Sequence, residues 1–264
     1  MATKNEVAKV DPSALVVPDD IDIFGDAGTG NEAVGRDDII IPRLQIVQAL
    51  SDEHKPKKAK YIEGAEEGSV FNTATRRLYD QPLIIVPVAY RRRYIEWVPR
   101  AKGGGLVDPT HDESIMNKTV VNEQGSFMLD NGNEIVDTPE NYVLVVVGDQ
   151  YEQAVMSMAG SKARIARRWN TMIKDLRIKN PQTGKMINPG RFYGAYEFKT
   201  VMEENDRGDY YNWDFKYAGP TLALPDIGAE VYRACRAFHQ LIDEEKVTAE
   251  IEDPKETTKT TDAF

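Results

Sequence analysis

The run LIIVPVAYRRRYIEWV, residues 83–98, decides how this chain is read. It is dominated by β-branched and aromatic residues, which favour extended backbone. Pro87 interrupts it, and a proline cannot donate a ladder hydrogen bond. The reading is therefore a long strand with a bulge, a bend or an edge position at Pro87. Side chains alternate along a strand. Tyr90, Arg92 and Tyr94 then share one face, and Arg91, Arg93 and Trp97 share the other.

Strand signals continue on both sides of this run. Leu44 to Leu50 reads as a short helix or strand, 51–67 as a charged loop, and Gly68 to Asn72 as a short strand. Gly103, Gly104 and Gly105 open an expected mobile loop. Phe127 to Val136 reads as a hairpin around Asp130-Asn131-Gly132-Asn133, since Asn-Gly supplies the positive φ angles of a tight turn. Tyr142 to Val147 is a continuous apolar run, expected to be a central strand buried on both faces.

Two helices are expected after it. In Ser161 to Lys179, Ile165, Trp169, Met172, Ile173 and Leu176 recur at helical spacing, and Pro181 and Gly184 stop the pattern. Strands at Arg191 to Met202 and Tyr210 to Tyr217 follow. A last helix starts near Asp226, with Val231, Ala234, Cys235, Phe238, Leu241 and Ile242 as its stripe. Strands outnumber helices and no βαβ alternation appears. The fold expected is a strand-rich α+β one, an antiparallel sheet or small barrel with inserted helices.

The chain has 264 residues and a formal net charge of −10. That charge is terminal. Residues 1–40 carry nine acids and three bases, and residues 243–264 carry eight acids and three bases, which leaves the middle near neutral. The organisation expected is an acidic disordered arm over 1–37, one core domain over 38–247, and an acidic disordered tail over 248–264. No stretch approaches about 18 consecutive apolar residues, so no membrane span is expected. The first ten residues are polar and lack a signal core. The single cysteine, Cys235, allows no internal disulfide and fits a reducing cytoplasm.

Enzyme chemistry finds little support. His54, His111 and His239 are far apart in sequence, and one cysteine cannot complete a structural zinc site. Thr183-Gly184-Lys185 lacks the rest of a phosphate-binding loop, and no nucleophile elbow is present. No catalytic residue, metal or cofactor is expected.

Two segments concentrate positive charge. Arg76, Arg77, Arg91, Arg92, Arg93, Arg100 and Lys102 face only Asp80 and Glu96 within 76–102, with Tyr79, Tyr90, Tyr94 and Trp97 interleaved. Lys162, Arg164, Arg167, Arg168, Lys174, Arg177, Lys179 and Lys185 face only Asp175 within 161–185. Rings that stack on bases and cations that neutralise phosphates are what a single strand requires. Plainer readings stand beside this one. The helix charge suits a solvated face, Trp169 suits the core, and so does the stripe Tyr211, Trp213, Phe215, Tyr217. Three consecutive arginines also keep an edge strand from pairing with another molecule.

The C-terminal residues complete a resemblance. Glu250-Ile251-Glu252-Asp253-Pro254 leads through a Lys/Thr spacer to Thr261-Asp262-Ala263-Phe264. An acidic tail ending in phenylalanine resembles those of bacterial and bacteriophage single-stranded DNA-binding proteins. The resemblance implies an enlarged OB-fold of the phage type, sequence-tolerant binding of single-stranded DNA, and a place in the host cytoplasm. Its DNA-contacting set would be Arg76, Arg77, Tyr90, Arg91, Arg92, Arg93, Tyr94, Trp97, Arg100, Lys102, Lys162, Arg164, Arg167 and Arg168. It also implies that Asp262 and Phe264 recruit replication or recombination proteins, and it leaves room for a homo-oligomer. A tethered polyanion competes with DNA at high effective concentration. Residues 248–264 hold five acids and two lysines, a weaker polyanion than the family's strong examples. Two rival expectations are a recombination mediator or strand-annealing protein, and a structural or virion-associated interaction protein.

Overall fold

The structure is a computed structural model that describes residues 40–205 and 208–244, together with Gly25, Thr29, Gly30, Glu32, Ala33, Thr248 and Ala249. In chain order the strands are β1 (Ile40–Ile41), β2 (Leu44–Ile46), β3 (Val70–Asn72), β4 (Leu78–Tyr79), β5 (Leu83–Val98), β6 (Gly105–His111), β7 (Val120–Val121), β8 (Phe127–Met128), β9 (Glu134–Val147) and β10 (Gln150–Ser157). Helix α1 (Ala163–Asp175) follows, then β11 (Ile178–Lys179), β12 (Met186–Ile187), β13 (Gly194–Asn205), β14 (Gly208–Pro220), helix α2 (Gly228–Asp243) and β15 (Thr248–Ala249).

The quoted run forms β5 over its whole length, and the fold is built on its antiparallel pairing with β9 from Ile84↔Val146 to Trp97↔Glu134. Each of these long strands changes its outer neighbour along the way. β5 pairs with β13 at residues 83–85 and with β6 at residues 94–98. β9 pairs with β10 at residues 140–147 and with β8 at residues 134–135. The eight-stranded antiparallel sheet curls into half a barrel. The fold is therefore strand-rich α+β, as expected, with its two α-helices laid on opposite faces of the curl.

Pro87 sits at a bulge. It lies opposite Val143 while Ala89 lies opposite Tyr142, so Val88 is the extra residue. Pairing with β13 has already ended at Ile85, and the missing N–H of Pro87 therefore leaves no gap there. β9 and β10 join through a tight turn in which Gly148 has φ +63. That Gly-Asp turn signals a hairpin, and β10 is the longest of the strands not expected from the sequence, with the two-residue β4, β7, β11 and β12.

Two cores flank the sheet. On one face, Leu83, Ile85, Val143 and Val145 pack with Ile165, Trp169 and Ile173 of α1 and with Phe198, Trp213 and Phe215 of the β13–β14 hairpin. On the other, Val86, Val88, Ala89, Tyr142 and Leu144 pack with Val231, Cys235, Phe238 and Ile242 of α2. The period of two in β9 and the period of 3.6 in the helices divide the apolar residues between these layers. Trp169 is fully buried, with ring centroids of Phe198 at 4.8 Å and Tyr196 at 5.6 Å. Trp213 and Phe215 are core as well, whereas Tyr217 is 38% exposed.

Three local expectations are corrected. Helix α1 stops at Asp175, short of Lys179, because Leu176 turns to extended backbone. The freed carbonyls of Ile173 and Leu176 accept from Asn188 Nδ2, and Arg177 donates to those of Lys174 and Leu176. The segment opened by the three glycines is strand β6, registered on the end of β5. Thr248 and Ala249, assigned to the tail, pair in parallel with β1, and Ala249 is buried. Most of the arm and of the tail, residues 250–264 included, lies outside the described residues. No helix among the described residues is long and apolar enough to cross a membrane.

Candidate nucleic-acid interface

The pleat of β5 divides its basic and aromatic residues between two faces. Tyr90 stands opposite Asn141, on the face that carries Val143, Val145 and α1. Arg91 stands opposite Glu140, on the face that carries Tyr142, Leu144 and α2. The alternation expected from the sequence holds, because no register shift with β9 intervenes between Ala89 and Trp97.

The arginines of the triplet are all engaged within the chain. Arg91 donates to the carbonyl of Ile242, at the C-terminal end of α2 where the helix dipole is negative. Arg92 binds Asp137 through Nε at 2.7 Å and a terminal nitrogen at 2.5 Å, and this pair holds the Arg92 guanidinium protonated well beyond its ordinary range. Arg93 donates to Glu140 at 2.7 Å. Glu140 is fully buried and also accepts from Arg43 at 2.6 Å, which donates in turn to Ser157 Oγ at 2.6 Å. Arg43 and Glu140 carry no motif that marks them in the sequence, since their meeting depends on β10 and the chain before β2 closing over β9.

Of the aromatics on this strand, Tyr94 and Trp97 are buried at 5% exposure, and Tyr90 is open at 39%. Of these three rings, Tyr90 is thus the one open to solvent. Arg76 is exposed in a left-handed turn with φ +59. Arg77 pairs with Glu152 at 2.5 Å, and the exposed Lys102 reaches the Gly132 carbonyl at 3.5 Å. A cleft of about 490 Å³ opens beside Arg77. Its walls include Asp80, Asp149 and Asp226, the wrong sign for a polyanion. The Arg100 side chain, Asp262 and Phe264 lie outside the described residues.

Helix α1 is different. Arg164 and Arg168 lean onto the β13–β14 hairpin, pairing with Glu203 and Asp214 at 2.7 Å each. Arg168 also lies 4.5 Å from the centre of the Phe215 ring. Glu203 is held below the usual carboxylate range by hydrogen bonds from Asn212, Tyr210 and Arg164, and Asp214 by Arg168. Lys162 is half-buried at the helix entrance. Arg167, Lys174, Arg177, Lys179 and Lys185 are exposed along the helix and the β11–β12 hairpin. Asp175 is the one acid between Lys162 and Arg191. Exposed Met172, Met186 and Ile187 lie among these cations.

Tyr90 and α1 are joined by a residue the sequence reading passed over. Arg191 opens a short 3-10 turn before β13, and its guanidinium carbon lies 5.7 Å from the ring centres of both Tyr90 and Trp169. It donates to Asn141 Oδ1 and to Asn170 Oδ1, each at 2.7 Å. Nothing around Arg191 in sequence marks it out. Its position follows from the path of the chain out of the β11–β12 hairpin. The α1 surface, Tyr90 and Arg92 therefore lie on one side of the sheet, and Arg91 and Arg93 on the other.

No curated protein and no solved structure matches this chain. A family model does, that of the Pam3 phage gp34-like protein, over residues 8–248. The match runs from before β1 to the first residue of β15 and so takes in α1, α2, the curled sheet and the cationic surface; the chain belongs to the Pam3 phage gp34-like family of bacteriophage proteins.

Proposed function

We propose that the protein binds single-stranded DNA without reading its sequence, in phage replication or recombination. The observation that supports this reading is the exposed surface of α1 and the β11–β12 hairpin. Arg167, Lys174, Arg177, Lys179 and Lys185 stand there against Asp175, on the side of the sheet that also carries the open ring of Tyr90. Phosphates are neutralised by such cations, and a base can stack on an exposed tyrosine. The Arg91–Arg93 triplet contributes less than its charge suggests, because each guanidinium already has a partner in the fold. Residues 250–264, ending in Phe264, are proposed to recruit partner proteins.

Retention of a labelled oligo-dT by the full chain at low salt tests the reading. Five cations on the strand's path give a slope of log K against log salt of about −3.5. Charge reversal at Lys174, Lys179 and Lys185 should lower affinity at least tenfold and flatten that slope. No retention at low salt, or a reversed variant that binds as before, overturns it.

A further inference from the structure

We infer that Arg191 is the centre of an anion site that takes one phosphate group between α1 and β5. The case rests on what the fold leaves unpaired around it. Arg43, Arg92, Arg93, Arg164 and Arg168 each have a carboxylate partner. Arg191 has two amide oxygens instead, from Asn141 and Asn170. The Tyr90 ring centre lies 5.7 Å from its guanidinium carbon. Burial lowers its pKa to about 10, which still leaves it charged at neutral pH.

Three buried N–H donors in the same cluster have no acceptor. They are Arg191 Nε, Asn141 Nδ2 and the Trp169 indole Nε1. Asn141 and Trp169 are fully buried. Asn141 accepts from Arg191 through its oxygen, and its amide nitrogen has no partner. An unpaired buried donor is costly, and a half-buried guanidinium without a carboxylate partner adds to that cost. One anion with several acceptor oxygens relieves both deficits, and phosphate suits this better than a halide or a planar carboxylate.

The surroundings indicate the route in. Tyr90 is the exposed member of the cluster, and it lies on the side of the sheet that carries α1. A phosphodiester lying along α1 could seat one phosphate at Arg191 while the adjoining base stacks on Tyr90. This source for the phosphate rests on the proposed function; the site itself rests on the unpaired donors alone.

The test uses the full chain with its tryptophan indoles labelled with ¹⁵N, titrated separately with inorganic phosphate and with oligo-dT. In either titration, ligand at Arg191 moves the Trp169 indole proton downfield and leaves that of Trp213 in place. Arg191→Gln should abolish the shift and lower oligo-dT affinity at least tenfold. Arg191→Lys keeps the charge but loses the planar fork, and should recover part of both. A shift with oligo-dT supports the phosphodiester. A shift with inorganic phosphate alone supports the site and assigns it to free phosphate. If oligo-dT is not bound at all, the proposed function fails and the phosphate titration still decides the site. A Trp169 signal unmoved by both ligands overturns the inference, and Arg191 is then a structural residue only. Should Arg191→Gln not fold, the wild-type and Arg191→Lys titrations decide.

Discussion

Arg43 and Glu140 form an ion pair at 2.6 Å with 1% and 0% of their side chains exposed, sealed between β9 and the chain leading into β2. Arg93 joins it at 2.7 Å, so both guanidiniums meet on the one Glu140 carboxylate. Breaking a buried pair by removing one partner costs about 3–5 kcal/mol. Glu140→Gln removes the buried carboxylate that both arginines share and should reach that range. Arg43→Met leaves Glu140 with Arg93 and should cost less. Urea unfolding of the two variants gives the order; equal losses would show that Arg93 does not share the charge.

Trp169 ties α1 to the β13–β14 hairpin through its contacts with Phe198, Tyr196 and Phe215. Trp169→Ala should destabilise by about 3–5 kcal/mol, as for other fully buried aromatics. Tyr217→Ala, on an exposed ring of the same hairpin, should cost much less. Thermal melts that place the two variants together contradict the assignment of Trp169 to the core.

Gly228 starts α2 against the preceding turn. A Cβ there would lie 2.7 Å from the Thr221 carbonyl oxygen, a backbone atom that cannot swing away. Gly228→Ala should therefore displace the helix and cost about 1–3 kcal/mol. Its effect should also appear at Cys235, whose thiol burial pushes up to about 12. Faster labelling of Cys235 by a thiol reagent in the variant is the expected readout, and unchanged labelling with unchanged stability counts against it.

Acid should weaken the fold through its paired carboxylates. Glu96 is held below its ordinary 4.5 by hydrogen bonds from Asn133, His111 and Asn131, and Glu203 likewise by Asn212, Tyr210 and Arg164. A folded-state pKa below the unfolded one means stabilisation that is full above 4.5 and lost as pH falls through the folded value. The urea midpoint should fall on acidification below about pH 4.5, and less steeply in the double variant Glu96→Gln/Glu203→Gln. Parallel slopes for the variant and the parent would remove these two residues from the account.

Arg92 is the exposed member of the triplet, and its pair with Asp137 is half open to solvent. Surface pairs contribute about 0–1 kcal/mol, so Arg92→Ala should barely change stability. Being already paired, it should also change oligo-dT affinity less than Lys174→Glu does. Anisotropy titrations of the two variants side by side check the ranking.

The sequence by itself determined the elements whose pattern is local. Residues 83–98 are a strand because β-branched and aromatic side chains favour extended backbone, and Pro87 marked its bulge. The stripes of α1 and α2 announced which helix faces are buried, although Met172 and Leu241 at their margins are exposed, and Asn131-Gly132 announced the turn before β9. The alternation of Tyr90 and Arg92 against Arg91 and Arg93 was legible for the same reason, since it follows from a period of two. What each face meets was not. Only the tertiary structure decided that α2 and Glu140 occupy the side of Arg91 and Arg93, that α1 shares the side of Tyr90, and that Arg191 arrives between Tyr90 and Trp169 without a carboxylate. Those partners come from residues up to about 150 positions away. Pairing at that distance is set by how the curled sheet and the two helices pack, and no local period encodes it.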